Sequence, residues 1–198
     1  AETQITPQLA LRYIVKHVLG RQEMERLYRY YIGEHAILSR PKDKRAANNR
    51  LVCNHAKYIT DCTTGYFMGS PVQYRSRSGK DISTIKNILR GCDSATQDID
   101  LARNGSIFGR SYEMLYFTDE KKPSLRLASI DPRQAFVVYD NTVEEKPLFG
   151  VYYLPQYSEN DVATGYRCYL CTCDETIEFL ATAGFALEKI ISTNSHYF

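Results

Sequence analysis

Tyr30-Tyr-Ile-Gly-Glu-His35, Asn48-Asn-Arg-Leu-Val-Cys-Asn54-His-Ala-Lys-Tyr58 and Gly65-Tyr-Phe-Met-Gly-Ser-Pro-Val-Gln-Tyr74 make up the stretch whose reading decides the fold of this 198-residue chain. Upstream of it, Leu9, Tyr13, Val18, Met24, Leu27, Tyr31 and Ile32 recur at roughly helical spacing, which predicts a long helix punctuated at Gly20 or Gly33. Arg40-Pro-Lys-Asp-Lys-Arg45 interrupts the apolar pattern with four positive charges and reads as a solvated loop, a candidate contact for an acidic partner. Asn54 then qualifies as an N-cap, because its side-chain oxygen can accept from an unpaired amide of the first turn. Ile59, Cys62, Tyr66 and Phe67 follow at three- and four-residue steps and predict one apolar face on this second helix. Gly69, expected in a left-handed C-cap, and Pro71 stop it. Val72 to Arg75 alternates as a strand would.

Downstream, Asp81 opens a short helix ending near Gly91, and a further helix is expected from Ser94 through Ile107, closed by Gly109. Beyond it the period changes from helical to alternating. Strands are expected at 111–118, 125–130, 134–139, 148–154, 166–173, 175–180 and 186–191, joined by short polar turns such as Asp119 to Pro123. The expected fold is therefore α+β, with N-terminal helices followed by an antiparallel β-meander. The expected domain division is a mainly helical region at 1–110, carrying the basic loop at 40–50, and a β-rich region at 111–198.

Hydrophobic residues make up 43% and charged residues 24%, ordinary values for a globular chain, and no apolar run approaches the roughly 20 residues that span a bilayer. The formal net charge of +2 hides an asymmetry. Residues 1–80 hold 14 Lys+Arg against 6 Asp+Glu, whereas residues 81–198 hold 11 against 17. A molecule so polarised can stack head to tail with copies of itself or present one end to nucleic acid.

The six cysteines include one cluster, Cys168, Cys171 and Cys173, without a second Cys or His pair at zinc-site spacing, so buried reduced cysteines are expected rather than a metal site. His17, His35 and His55 are scattered and read as structural. Sixteen tyrosines and eight phenylalanines suit pleated, half-buried surfaces, and the acidity of the strands speaks against an RNA-binding sheet. The dinucleotide, phosphate-loop, nucleophile-elbow and zinc-protease motifs do not occur. No enzyme activity and no cofactor are expected.

Taken in order, Tyr30-Tyr31 with its glycine turn, the basic loop, Asn48-Asn49-Arg50, Gly65-Tyr-Phe-Met-Gly69-Ser-Pro-Val72, and Asp131-Pro132 to Val137-Val-Tyr-Asp140 resemble the portal proteins of tailed double-stranded DNA bacteriophages, in their siphophage-type branch. The resemblance covers nearly all of residues 25–198. It implies a structural protein that forms a ring, usually of twelve subunits, at one capsid vertex. Its partners would be other portal subunits, terminase, capsid or scaffold proteins, head-completion proteins and, non-specifically, double-stranded DNA, without a membrane. Its location would be the virion, and the host cytoplasm during assembly. The family's stem helix, clip, tunnel loop and crown would follow Phe198, so these residues are expected to form the N-terminal and wing part. The residues expected to meet DNA phosphates or a neighbouring subunit are Arg40, Lys42, Lys44, Arg45 and Arg50. The alternative is an independent small binding module or enzyme.

Overall fold

The computed structural model describes residues 5–41, 45, 47–118 and 123–196. The apolar repeat of the N-terminus forms two helices, α1 (Pro7–Gly20) and α2 (Gln22–Tyr31). Pro7 sits where its missing amide costs nothing, and Thr6 caps α1 by accepting from the Leu9 amide at 3.3 Å. The helix α3 (His55–Phe67) begins as expected, with Asn54 Oδ1 accepting from the Lys57 amide at 3.0 Å. The same side chain donates from Nδ2 to the Tyr31 carbonyl at 2.9 Å, tying the start of α3 to the end of α2. The helices α4 (Ser83–Gly91) and α5 (Ser94–Phe108) follow. Asp81 accepts from both the amide and the hydroxyl of Ser83 ahead of α4, and Gly109 closes α5 with φ of 72°.

Among the described residues seven strands come next: β1 (Tyr112–Phe117), β2 (Leu125–Ile130), β3 (Ala135–Tyr139), β4 (Pro147–Tyr157), β5 (Ala163–Cys171), β6 (Glu175–Thr182) and β7 (Leu187–Ser195). All pairings are antiparallel between sequence neighbours, so the α+β class with a meander is the observed fold. The seven strands form two sheets. β1 and β2 make a separate hairpin, and β3 to β7 make the five-stranded sheet. The expected turn at Asp119 to Pro123 lies, up to residue 122, outside the described residues.

Two local expectations are corrected. Residues 71–76 form no strand; Val72 and Tyr74 are exposed and have no paired backbone to alternate against. Gly69 is not a left-handed cap, because only Gly33, Gly79 and Gly109 among the glycines have positive φ. Its role is close approach: a Cβ there would lie 2.7 Å from the Gly65 carbonyl oxygen, so the chain can turn tightly across the end of α3 only without a side chain.

Chain contacts group into two compact units. In the first, residues 1–22 and 133–198, one face of the five-stranded sheet is covered by α1. Period-two alternation places Val151 and Tyr153, Cys168 and Leu170, and Ile177, Phe179 and Ala181 on that face, where Leu11 and Ile14 of α1 complete the core. Tyr153 is fully buried, and its hydroxyl reaches His17 Nδ1 at 2.8 Å and donates to the Arg133 carbonyl at 3.1 Å. A buried phenol needs such partners. The second unit, residues 23–132, has a smaller core of Met24, Ile107 and Phe108 with Leu27, Tyr28 and Tyr31 packed against it. There β2 is held to α5 by Gln97, which accepts from the Ser129 amide at 2.7 Å, and by Asn104, which donates to the Ser129 hydroxyl at 3.2 Å.

Candidate functional site

The surface features of greatest interest lie on the second unit and begin with the basic segment. Its chain is anchored by the guanidinium of Arg50, which donates to the carbonyls of Leu38 and Arg40 and to Asn48 Oδ1. Three acceptors converge on one planar fork, a geometry suited to arginine and beyond the reach of lysine's point charge. Arg50 therefore ties the chain before α3 back to residues 38 and 40. Arg40 and Arg45 are exposed on that loop, and Lys42 and Lys44 lie outside the described residues.

The helix α3 starts directly after this segment and is oriented against the expectation from its sequence. At about 100° per residue, Tyr58, Ile59, Cys62 and Tyr66 fall within one narrow sector, while Thr60 and Thr64 fall on the opposite side. The threonines are the buried side, each at 6% exposure. The apolar sector faces outward, with Tyr58 67%, Ile59 61% and Tyr66 95% exposed, and Cys62 is exposed among them. The orientation is enforced at the helix start. Asn54 holds the Tyr31 carbonyl, and Asp61 receives both the Tyr31 hydroxyl at 3.2 Å and Lys57 Nζ at 2.8 Å. These bonds hold the pKa of Asp61 below its ordinary carboxylate value, with the Lys57 hydrogen bond as the first cause, and raise that of Lys57, with the Asp61 hydrogen bond as the first cause. Thus the polar edge of α3 faces α2, and its apolar sector is left to solvent.

Between α3 and α5 runs an open groove of about 360 Å³, lined by residues that include Thr64, Phe67, Leu101, Ala102 and Gly105. Its lining is almost wholly apolar. The Thr64 hydroxyl is buried and finds no hydrogen-bond partner among the described residues. Nothing there supplies a general base beside a nucleophile, the minimum for acid-base or covalent chemistry.

Reactive groups elsewhere are dispersed. Cys168 points into the sheet core, where burial pushes its thiol up to about 12, and Cys171 lies on the other face of β5. Cys173 is exposed beside Asp174, whose hydrogen bond and negative charge raise its thiol. Among the described residues no three His, Cys, Asp or Glu side chains are placed to hold a metal ion. Burial and the nearby Asp98 carboxylate raise Glu113 on the hairpin. No described helix is long and apolar enough to cross a membrane.

The sequence therefore pointed to the basic loop and to the boundaries of α3, but the outward apolar sector and the groove were not foreseen. Thr60 and Thr64, spaced four apart, were the available signal: they offered a second, mildly polar side that a tertiary contact could choose.

A family model described as phage portal protein, SPP1 Gp6-like, matches residues 12–198 of the chain. Among curated proteins, none matches it.

Proposed function

We propose that this chain, which belongs to the SPP1 Gp6-like family of phage portal proteins, forms part of the ring at the capsid vertex through which double-stranded DNA is packaged and ejected. Membership rests on a match that runs through both compact units, from residue 12 to residue 198, and this is the observation that carries the reading. The family is structural, and its members associate with other portal subunits and with phage head components. Within that role, residues 111–198 would serve as the β-rich wing and residues 1–80 would face neighbouring subunits, capsid or DNA.

The basic loop fits a contact that is electrostatic and indifferent to sequence. Arg40, Lys42, Lys44, Arg45 and Arg50 would meet phosphates or the acidic part of a neighbour, and Arg50 also bonds the carbonyls of Leu38 and Arg40. Phosphate contacts release counterions, so log K for DNA binding should fall with log salt concentration, with a slope of about 0.9 for each phosphate contact made. Binding that is selective for sequence or insensitive to salt would contradict this assignment.

The decisive experiment is genetic. Disrupting the gene in its phage should leave heads that contain no DNA, although capsid protein and terminase are made; DNA-filled heads from the disrupted phage would refute the proposed role.

A further inference from the structure

We infer that the groove between α3 and α5 is a binding site for a small, uncharged aromatic alcohol, a molecule of one or two fused rings that carries one hydroxyl group. The inference is independent of the portal reading. Size and shape come first. The groove spans about one turn of each helix, from Thr64 to Met68 at the end of α3 and from Leu101 to Gly105 on α5. Four residues of helix rise about 6 Å, room for a ring system but too short for a docked helix or strand. A volume of about 360 Å³ places it at the small end of ligand sites, which run from about 300 to 1,000 Å³.

The chemistry of the lining narrows the class. No charged side chain lines the groove, so a phosphate, carboxylate or ammonium ligand would be desolvated there without a partner. Phe67, largely exposed, and the Met68 thioether offer the two contacts that favour an aromatic body, ring against ring and sulfur against a ring edge. The polar requirement comes from Thr64. Its side chain is 6% exposed and lines the groove, yet its buried hydroxyl has no hydrogen-bond partner. Such a group is costly to leave unpaired, and it can both donate and accept, so a single hydroxyl on the ligand satisfies it. Phe67 lies three residues on, the spacing of neighbours on a helix, and an exposed side chain changes rotamer readily enough to admit that oxygen.

Gly105 supplies an independent sign. It stands inside α5, where glycine is less favourable than alanine, yet a Cβ there would meet nothing nearer than the Ser111 hydroxyl oxygen at 4.0 Å. The packing of the chain itself therefore does not call for glycine at this position, whereas a ring lying close against the α5 backbone would. Thr64 and Gly105, on opposite walls, are both less favourable in the empty groove than valine and alanine would be, and one ligand accounts for both.

The test uses the methionine methyl groups of the whole chain, labelled for NMR, with 2-naphthol as the probe. Of the three methionines, Met68 lines the groove, Met24 lies in the smaller core and Met114 on β1, so one methyl reports and two serve as controls. Adding 2-naphthol should shift the Met68 resonance saturably and leave the other two in place. Thr64→Val keeps the shape and removes the hydroxyl. It should raise Tm by about 2–4 °C while weakening 2-naphthol at least about fivefold and leaving naphthalene unchanged. Naphthalene-2-sulfonate should bind wild type at least about tenfold more weakly than 2-naphthol. Gly105→Leu should abolish the Met68 shift; if that variant unfolds, Gly105→Ala, whose added carbon clashes with nothing, should weaken both neutral probes. An unmoved Met68 methyl, equal shifts of all three methyls, or equal affinity of wild type and Thr64→Val for 2-naphthol would overturn the inference, and none of these results bears on the portal reading.

Discussion

Replacing Tyr153 with phenylalanine removes one oxygen atom from the centre of the α1–sheet core and leaves the ring in place. Tyr153 is fully buried, and its hydroxyl joins His17 on α1 to the Arg133 carbonyl just ahead of β3. The ring contacts with His17 and Tyr166, at centroid separations of 5.8 and 6.0 Å, survive the substitution. What is lost is two hydrogen bonds, at about 1 kcal/mol each, plus the cost of buried groups deprived of this partner, so the expected destabilisation is about 2–3 kcal/mol. At this chain length that lowers Tm by about 4–12 °C. Differential scanning calorimetry measures it, and a cycle with His17→Phe should show coupling of about 1 kcal/mol. The wild type should also carry an alkaline signature. Burial pushes the Tyr153 hydroxyl up from 10.0 to about 12, so folding favours its neutral form. That contribution is complete below about pH 10 and is lost as pH rises toward 12, at about 1.4 kcal/mol per pH unit. Cys168, also pushed up to about 12 by burial, adds a loss in the same direction that begins near pH 9. In Tyr153→Phe the tyrosine share of the alkaline slope should vanish. A Tm within about 1 °C of wild type and an unchanged alkaline profile would refute the account of this core.

Glycine substitutions at the end of α3 should have opposite signs. Gly65→Ala, with open space at the Cβ position, should stabilise by about 0.5–1 kcal/mol through helix propensity, whereas Gly69→Ala, with its Cβ 2.7 Å from a backbone oxygen, should destabilise by about 1–3 kcal/mol; urea titration compares them. Gly165→Ala should be costly for the same reason, because its Cβ would lie 2.5 Å from the Ala181 carbonyl oxygen across the β5–β6 pair, and a loss below about 0.5 kcal/mol in urea would contradict that register. Thiol titration of the dilute, unassembled chain at pH 8 should find Cys53 and Cys62 quick to react, Cys173 slower beside Asp174, and the buried Cys92 and Cys168 reactive only on unfolding.

Much of the fold was legible in the order of residues because local physics decides it. Asn54 caps α3 and Gly109 ends α5 through bonds made within a few residues, and the alternation in β4 to β6 follows from the pleat. Where an expectation failed, the deciding contact was distant. Val72 to Tyr74 alternates in sequence but has no neighbouring strand, and alternation without a partner does not make a sheet. The meander itself is present, and its division into two sheets was a tertiary matter: β2 pairs with β1 and is tied to α5 through Gln97 and Asn104, while β3 pairs with β4. Likewise, the helix-to-strand change after Phe108 is visible in the sequence, but the grouping of α1 with β3–β7 depends on Leu11 and Ile14 finding a sheet more than a hundred residues away.

Taken alone, the sequence determined the Asn54 cap of α3, the Gly109 stop of α5, the strand series after Phe108 and the resemblance to portal proteins. These are carried by neighbours along the chain, or by a conspicuous order of motifs. The tertiary structure alone decided which side of α3 would be buried. Its sequence offers both an apolar sector and a pair of threonines, and nothing local ranks them. Tyr31, thirty residues earlier, makes the choice by hydrogen-bonding Asp61 and receiving Asn54, and in doing so turns Ile59 and Tyr66 toward solvent.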